Sequence, residues 1–163
     1  MKLGLGSYSY RWSIGHKDRT PSSPITCIEL LGITSKLDLD VLQIADNMPV
    51  HNIETQTLDQ LYRTAQKQGI NLEIGMQSFS TESIKIYLDI AERLDARILR
   101  IALDGNDVGT SDDIIAKEFK NILPIAEKIN CKIAIENHFA FPSDRMAKII
   151  KLVDEEYLGA CLD

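Results

Sequence analysis

Hydrophobic and polar positions along this chain follow two periods that take turns. Short runs alternate apolar and polar residues one by one, the pattern of a strand with one buried face. Each is followed by a longer run in which apolar residues recur every three or four positions, the pattern of an amphipathic helix. The period-two runs predict strands over Lys2–Tyr8, Asp40–Asp46, Asn71–Gln77, Arg97–Leu103, Lys132–Glu136 and Leu158–Asp163. The helical runs cover Pro24–Ser35, Leu58–Gln68, Thr81–Leu94, Ser111–Ile129 and Ser143–Asp154. Boundary residues agree with this division. Thr81 stands where a helix cap belongs, Asp112 and Asp113 put acid in a first turn after Ser111, Ser143-Asp144 follows Pro142, and Gly69 closes the second helix.

Strands that alternate with helices are parallel and joined by right-handed crossovers. A doubly wound open sheet and a (β/α)8 barrel both satisfy this. The first loop argues against a dinucleotide-binding turn: Gly4 and Gly6 fall inside the first strand, and the long segment after it, SYRWSIGHKDRTPSS, holds no G-x-G-x-x-G. Strand parity goes further. One face is apolar throughout, with Leu3 and Leu5, Leu42 and Ile44, Leu72, Ile74 and Met76, Ile101 and Leu103, Ile133 and Ile135, and Leu158, Ala160 and Leu162. The opposite face is small or polar, with Gly4, Gly6 and Tyr8, Gln43, Glu73, Gly75 and Gln77, Arg100, Glu136 and His138, and Gly159 and Asp163. A doubly wound sheet is apolar on both faces, whereas a barrel turns one face to its helices and the other to its lumen. The fold class is therefore read as α/β, of (β/α)8 TIM-barrel type, with the polar parity inside. A full barrel takes about 250 residues. Six strands and five helices are legible in 163 residues, so a single partial barrel over residues 1–163, without strands seven and eight, is expected.

Composition narrows the setting. A chain that is 44% hydrophobic and 26% charged can bury the core of one domain. No apolar run approaches a membrane span, and the opening MKLGLGSYSYRW is too short and too broken for a signal peptide, so no membrane partner is expected. Cys27, Cys131 and Cys161 are scattered, with neither zinc spacing nor a disulfide framework. They read as small packed residues in a reducing compartment, and the expected location is cytoplasmic. A net charge of −6 with no Lys/Arg cluster argues against a nucleic-acid partner.

Polar residues at the C-terminal ends of barrel strands face the catalytic mouth. Here these are Tyr8, Asp46 and Asn47, Gln77, Asp104, Glu136, His138 and Asp163. Acids beside a histidine are donors suited to a divalent ion. Arg100 and Glu73 lie deeper and read equally well as an internal ion-pair network, with Arg100 neutralising Glu73 or Glu136. Spacing leaves His138 open as a ligand, a donor to substrate, or a loop residue bonded to backbone. His16 and His51 lie in mouth-side loops, where plain solvation is the simpler reading. Trp12, Phe139 and Phe141 either wall a small-molecule pocket or anchor their loops, and Cys161 reads as packing.

The ordered segments LDLDVLQIADNMPVHN, LDQLYRTAQKQGINLEIG, YLDIAERLDARILRIALD, IAIENH and LGACLD resemble the sugar-phosphate isomerase/epimerase family. These are the xylose-isomerase-like TIM barrels of the apurinic-endonuclease type 2 superfamily, and the similarity runs from Lys2 to Asp163. The resemblance implies a divalent metal (Mn2+, Mg2+, Co2+ or Zn2+) held by Glu, Asp, His and Glu at the ends of strands five to eight. Glu136 matches the first ligand and Asp163 the second, while the other two would lie beyond residue 163. It also implies Asn137 and His138 on the substrate side of the same strand tip, and it sets Arg100 where similar sequences carry a fourth-strand arginine. With Tyr8 these form the expected substrate-binding set, and Glu136 and His138 the expected catalytic pair.

The implied reaction is isomerisation or epimerisation of a small sugar or polyol derivative. Glu136 takes the proton beside a carbonyl, an enediolate forms, and the proton returns at the neighbouring carbon or on the opposite face. Three alternatives stand beside it: a metal-dependent dehydratase or lyase of the same superfamily, an apurinic-site endonuclease relative, and a non-catalytic barrel fragment. Only three histidines and an acidic balance fit the endonuclease poorly. Half a ligand set binds an ion weakly, so impaired catalysis is expected of these residues alone. Unpaired edges at strands one and six invite association, a homo-oligomer included.

Overall fold

The computed structural model describes residues 2–16, 19–138 and 140–163. Six strands are present: β1 (Gly4–Gly6), β2 (Val41–Ile44), β3 (Asn71–Gln77), β4 (Ile98–Ala102), β5 (Lys132–Glu136) and β6 (Leu158–Cys161). The helices are α1 (Arg11–Ile14), α2 (Cys27–Lys36), α3 (Thr55–Gln68), α4 (Thr81–Leu94), α5 (Asp112–Lys128) and α6 (Ser143–Val153). All strand pairs are parallel, and the order across the sheet is the order along the chain, β1 to β6. A doubly wound sheet must reverse its strand order at a switch point. This sheet never does, which is the wall of a barrel. Among the described residues, β1 pairs with β2 alone and β6 with β5 alone.

The helices start and stop for local reasons. Thr26 and Glu29 form a reciprocal cap on α2: the Glu29 N–H donates to Thr26 Oγ1 (3.2 Å) and the Thr26 N–H to the Glu29 carboxylate (2.8 Å). Gly69 ends α3 at φ 68°, the left-handed turn that suits glycine. Ser80, rather than Thr81, caps α4, and Thr81 Oγ1 is freed to donate to Glu118 on α5 at 2.7 Å. Helix α3 begins three residues before its first apolar position because its opening turn, Thr55-Gln56-Thr57, is polar and lies outside any hydrophobic pattern.

The sheet's apolar parity and the inward faces of the helices make one core. Leu42, Ile44, Ile74, Leu99, Ile101, Ile133 and Ile135 are fully buried, packed with Leu31, Leu61, Phe119 and Ile149. Leu3, Ala160 and Leu162 depart from the expected apolar face. Leu3 and Leu162 flank β1 and β6 and are 60% and 81% exposed, and Ala160 is exposed on β6, which has a neighbour on one side alone among the described residues. The first strand is also shorter than its period-two run. At Ser7 the chain enters a 3-10 turn that runs to Tyr10, followed by α1. Ser7 Oγ accepts from the Ala45 N–H (2.9 Å) and donates to Asn47 Oδ1 (2.5 Å), which locks this turn to the end of β2. Cys27 and Cys131 are buried, and burial pushes the Cys131 thiol up to about 12, the behaviour of an inert packed residue. No helix among the described residues is long and apolar enough to cross a membrane.

Candidate active site

The strands' C-terminal ends open into a cavity of about 840 Å³. Tyr8, Arg100, Glu136, His138 and Asp163, drawn from four separate regions of the sequence, all line it, together with Asp46, Gln77 and Asp104. Asn137 lies just outside, on a neighbouring cavity of about 330 Å³ that shares His138 and Asp163. Its amide is engaged with the chain after β6: Nδ2 donates to the Asp163 carbonyl (3.2 Å) and Oδ1 accepts from the Asp163 N–H (2.9 Å). The strand-five and strand-six tips are thereby clamped together.

Arg100 organises the floor of the cavity. It lies on the lumen parity of β4, registered with Gly75 on β3 and Ala134 on β5, and is 4% exposed. One terminal nitrogen donates to Asp46 Oδ1 at 2.6 Å, the other to Glu136 Oε2. Asp46 follows β2 and Glu136 ends β5. In a flat sheet, strands three places apart would be about 14 Å apart, far beyond the width of one guanidinium. The wall is therefore curled, and Arg100 binds across the curl. Gly75 makes room: a Cβ there would fall 2.8 Å from Arg100 Nε. The expected internal ion pair of Arg100 is thus present with Glu136, shared with Asp46. Glu73 takes no part and accepts instead from Gln43 Nε2 at 3.0 Å.

The second oxygen of Asp46 accepts from the Tyr8 hydroxyl at 2.6 Å. Burial, then this bond to Asp46, pushes the Tyr8 phenol up to about 12, so Tyr8 is a neutral donor at ordinary pH. His138 sits beside Asp104, Nδ1 to Oδ2 3.4 Å. Asp104 also accepts from the Gly105 N–H (2.7 Å) and Gln77 Nε2 (2.8 Å). The Gly105 bond first, then that from Gln77, holds its carboxyl below the usual range, with His138 adding a smaller effect. The ring of His138 thus lies beside an acid.

His51 is more than solvated. Its Nδ1 lies 2.9 Å from the hydroxyl of Tyr87, on a separate cavity of about 290 Å³ beside the main one. His16 lines the main cavity, edge-on to Trp12 at 5.4 Å between ring centres. Trp12 belongs to a different hollow with Arg19, Thr20 and Pro21. Phe141 is 1% exposed beneath the Arg145 guanidinium and anchors its loop, while Phe139 lies outside the described residues. Sequence reading missed Asp46 as the joint acceptor for Tyr8 and Arg100, and Gly75 as the seat of Arg100. A glycine inside NLEIGMQ was the available signal, since a glycine within a strand marks the close approach of another group.

The family model for xylose isomerase-like TIM barrels matches residues 33–163. The chain belongs to this family. It is 26% identical, over all 163 residues, to the 3-oxo-isoapionate decarboxylase of Pectobacterium atrosepticum, of which it covers 58%. Among solved structures it resembles a D-psicose 3-epimerase crystallised in the presence of D-fructose (TM-score 0.77, 15% identity, 100% of this chain and 63% of that one). A D-psicose 3-epimerase from Clostridium cellulolyticum H10 with D-tagatose is similar (TM-score 0.74, 17% identity, 100% and 63%). So is the IolI protein with a bound zinc atom (TM-score 0.67, 16% identity, 98% and 62%). The chain thus spans about three-fifths of the length of these relatives, and these structures establish the barrel fold.

The resemblance implies a metal ion, and one of these solved structures holds a zinc atom. Among the described residues no three His, Cys, Asp or Glu side chains stand close enough together to enclose an ion. Glu136 and Asp163 do present two oxygen donors to one cavity. The cavity lining carries four carboxylates (Asp46, Asp104, Glu136 and Asp163) against two arginines (Arg11 and Arg100), an excess of two negative charges with the histidines set aside. Oxygen donors in a site short of two positive charges suit a divalent cation.

Proposed function

We propose that this chain carries the Glu136–His138–Asp163 part of an active site that isomerises or epimerises a small sugar or polyol derivative by proton transfer beside a carbonyl. One observation carries this reading: an anchored carboxylate, an imidazole beside an acid and a second carboxylate converge on one cavity of about 840 Å³, within the usual size range for small-molecule sites. Around them, Tyr8, Gln43 and Gln77 offer hydrogen-bonding groups suited to a row of hydroxyls.

In this reading Glu136 is the base. Its carboxylate takes the proton from the carbon next to the carbonyl and leaves an enediolate. Returning that proton to the neighbouring carbon, while the hydroxyl proton passes from one oxygen to the other, isomerises the sugar. Delivery to the original carbon from the opposite face yields the epimer and requires an acid across the cavity. Arg100 holds the Glu136 carboxylate from below, so the base meets the substrate in one position. His138, which lies beside Asp104, donates to a substrate oxygen, and Tyr8 donates from the opposite rim. Glu136 and Asp163 would hold a divalent ion, which when bound polarises carbonyl and hydroxyl oxygens.

A second reading is favoured by the 26% identical decarboxylase. A 3-oxo acid that loses CO2 passes its carbon–carbon bonding electrons into the neighbouring carbonyl, leaving the same kind of enolate. Glu136 or His138 then gives a proton to carbon instead of taking one. A bound divalent ion cancels the cavity's excess of two negative charges, so charge alone does not separate the oxo acid from the neutral sugar.

Both readings are tested by incubating the protein with ketoses and with 3-oxo sugar acids in D2O containing Mn2+. Deuterium entering beside the ketose carbonyl, abolished in Glu136→Gln, supports isomerisation. Release of CO2 from the oxo acids moves the assignment to the lyase. Neither exchange nor CO2, in a protein whose Mn2+ uptake is indifferent to Glu136→Gln, sinks both.

A further inference from the structure

The position of Arg100 bears on how a metal site at Glu136 would behave. The side chain is almost wholly enclosed and cannot leave without stranding its partners. Its fork is fixed at one terminal nitrogen by Asp46 at 2.6 Å, and Asp46 is itself fixed by Tyr8 at 2.6 Å. The other terminal nitrogen is on Glu136. Nε is buried over Gly75, where a Cβ would fall 2.8 Å away, and has no hydrogen-bond partner among the described residues.

We infer that Arg100 is a resident counter-cation that competes with a divalent ion for Glu136 and so sets the metal affinity of the site. This rests on the metal reading given above and adds to it a residue that opposes binding. A cation arriving at Glu136 meets a full positive charge on the same carboxylate, in a region where solvent screens little. The excess of two negative charges draws the ion in, and Arg100 limits how tightly it stays. Gly75 is part of the device, because only a residue without a side chain lets the guanidinium lie across β3.

The test uses Mn2+ alone, titrated calorimetrically and by the electron paramagnetic resonance of free Mn2+, against the parent chain, Arg100→Gln, Gly75→Ala and Glu136→Gln. Circular dichroism reports whether each variant is folded. Arg100→Gln is expected to bind Mn2+ about tenfold tighter or more. Gly75→Ala, which pushes the guanidinium off its seat and leaves the charge in the chain, is expected to shift affinity in the same direction by a smaller factor. If Arg100→Gln does not fold, Gly75→Ala decides. Unchanged affinity overturns the inference. So does a loss of about ten- to a hundredfold, the mark of an outer group that supports a metal ligand. Failure of the underlying reading looks different: either no chain takes up Mn2+, or Glu136→Gln binds it as well as the parent does. A parent site that is lost in Glu136→Gln but indifferent to Arg100→Gln and Gly75→Ala removes the competition alone.

Discussion

Replacing Arg100 by methionine isolates the energetic role of the cavity floor. The substitution keeps most of the side chain's apolar length and removes the charge and the fork. What remains is a pair of carboxylates, Glu136 and Asp46, whose side chains are only 12% and 17% exposed. Removing one partner of a fully buried ion pair costs about 3–5 kcal/mol, mostly because the survivor is left charged and dry. Here two survivors remain, each with a little access to water, and a loss of about 3 kcal/mol is expected. Urea unfolding followed by circular dichroism is the assay. At a typical slope of about 2 kcal/mol per molar, the midpoint should fall by about 1.5 M with the slope unchanged. The reasoning also predicts the rescue. Adding Glu136→Gln and Asp46→Asn to Arg100→Met removes the stranded charges and should recover most of the loss, because the penalty lies in unpaired charge and not in missing contacts. A loss below about 1 kcal/mol, or a triple variant no more stable than the single one, would refute this account of the floor.

Further outcomes follow from other parts of the molecule. Of five tyrosines, Tyr8 and Tyr87 are each pushed up to about 12, first by burial, so a phenolate absorbance titration should show two late-ionising groups, one removed by each Tyr→Phe variant. Phe119 is fully buried, with its ring centre 4.9 Å from that of Phe79; Phe119→Ala should cost about 3–5 kcal/mol in urea unfolding. Bonds from Lys148 first, then Arg145, hold Asp112 below its ordinary 3.8. A depressed carboxyl stabilises the fold above its unfolded value and loses that contribution as pH falls through the folded one. Asp112→Asn should therefore be the less stable protein at neutral pH, and the gap should close as the pH drops below 3.8.

The fold was legible because its two periods never conflict. Each strand that packs helices is aliphatic on one parity, and Ile44, Ile74, Ile101 and Ile135 are all buried as that parity requires. The lumen parity was legible as polar, but its pairings were not. Arg100 was readable as an internal cation, yet Glu73 and Glu136 are equivalent partners along the sequence. What separates them is register: Gly75 is directly across from Arg100, so Glu73 lies two residues back along β3, where it takes Gln43, while Glu136 lies level with Ala102 nearer the mouth. Tyr8 was expected on a strand and lies on a 3-10 turn, because Ser7 caps the end of β2 and no hydrophobic pattern encodes a hydroxyl's partner. Short elements such as α1, four residues with none buried, and the polar first turn of α3 left no periodic trace.

The network also explains why the cation is an arginine. Asp46 and Glu136 come from strands three places apart, and the residue joining them must bond outward in two directions from a point over β3. A guanidinium has a rigid fork and can hold both carboxylates at once. An ammonium is a single point of charge on a flexible stem. Arg100→Lys preserves the net charge of the cavity but can satisfy one carboxylate fully at the expense of the other. If charge alone matters, Arg100→Lys will unfold at the urea midpoint of the parent. If the fork matters, its midpoint will fall between those of the parent and Arg100→Met. The geometry favours the second outcome, since the two acceptors lie on opposite sides of the Arg100 side chain and Gly75 leaves the fork a flat seat between them. A midpoint equal to the parent's would show that curling the wall around one shared cation needs its charge and not its shape.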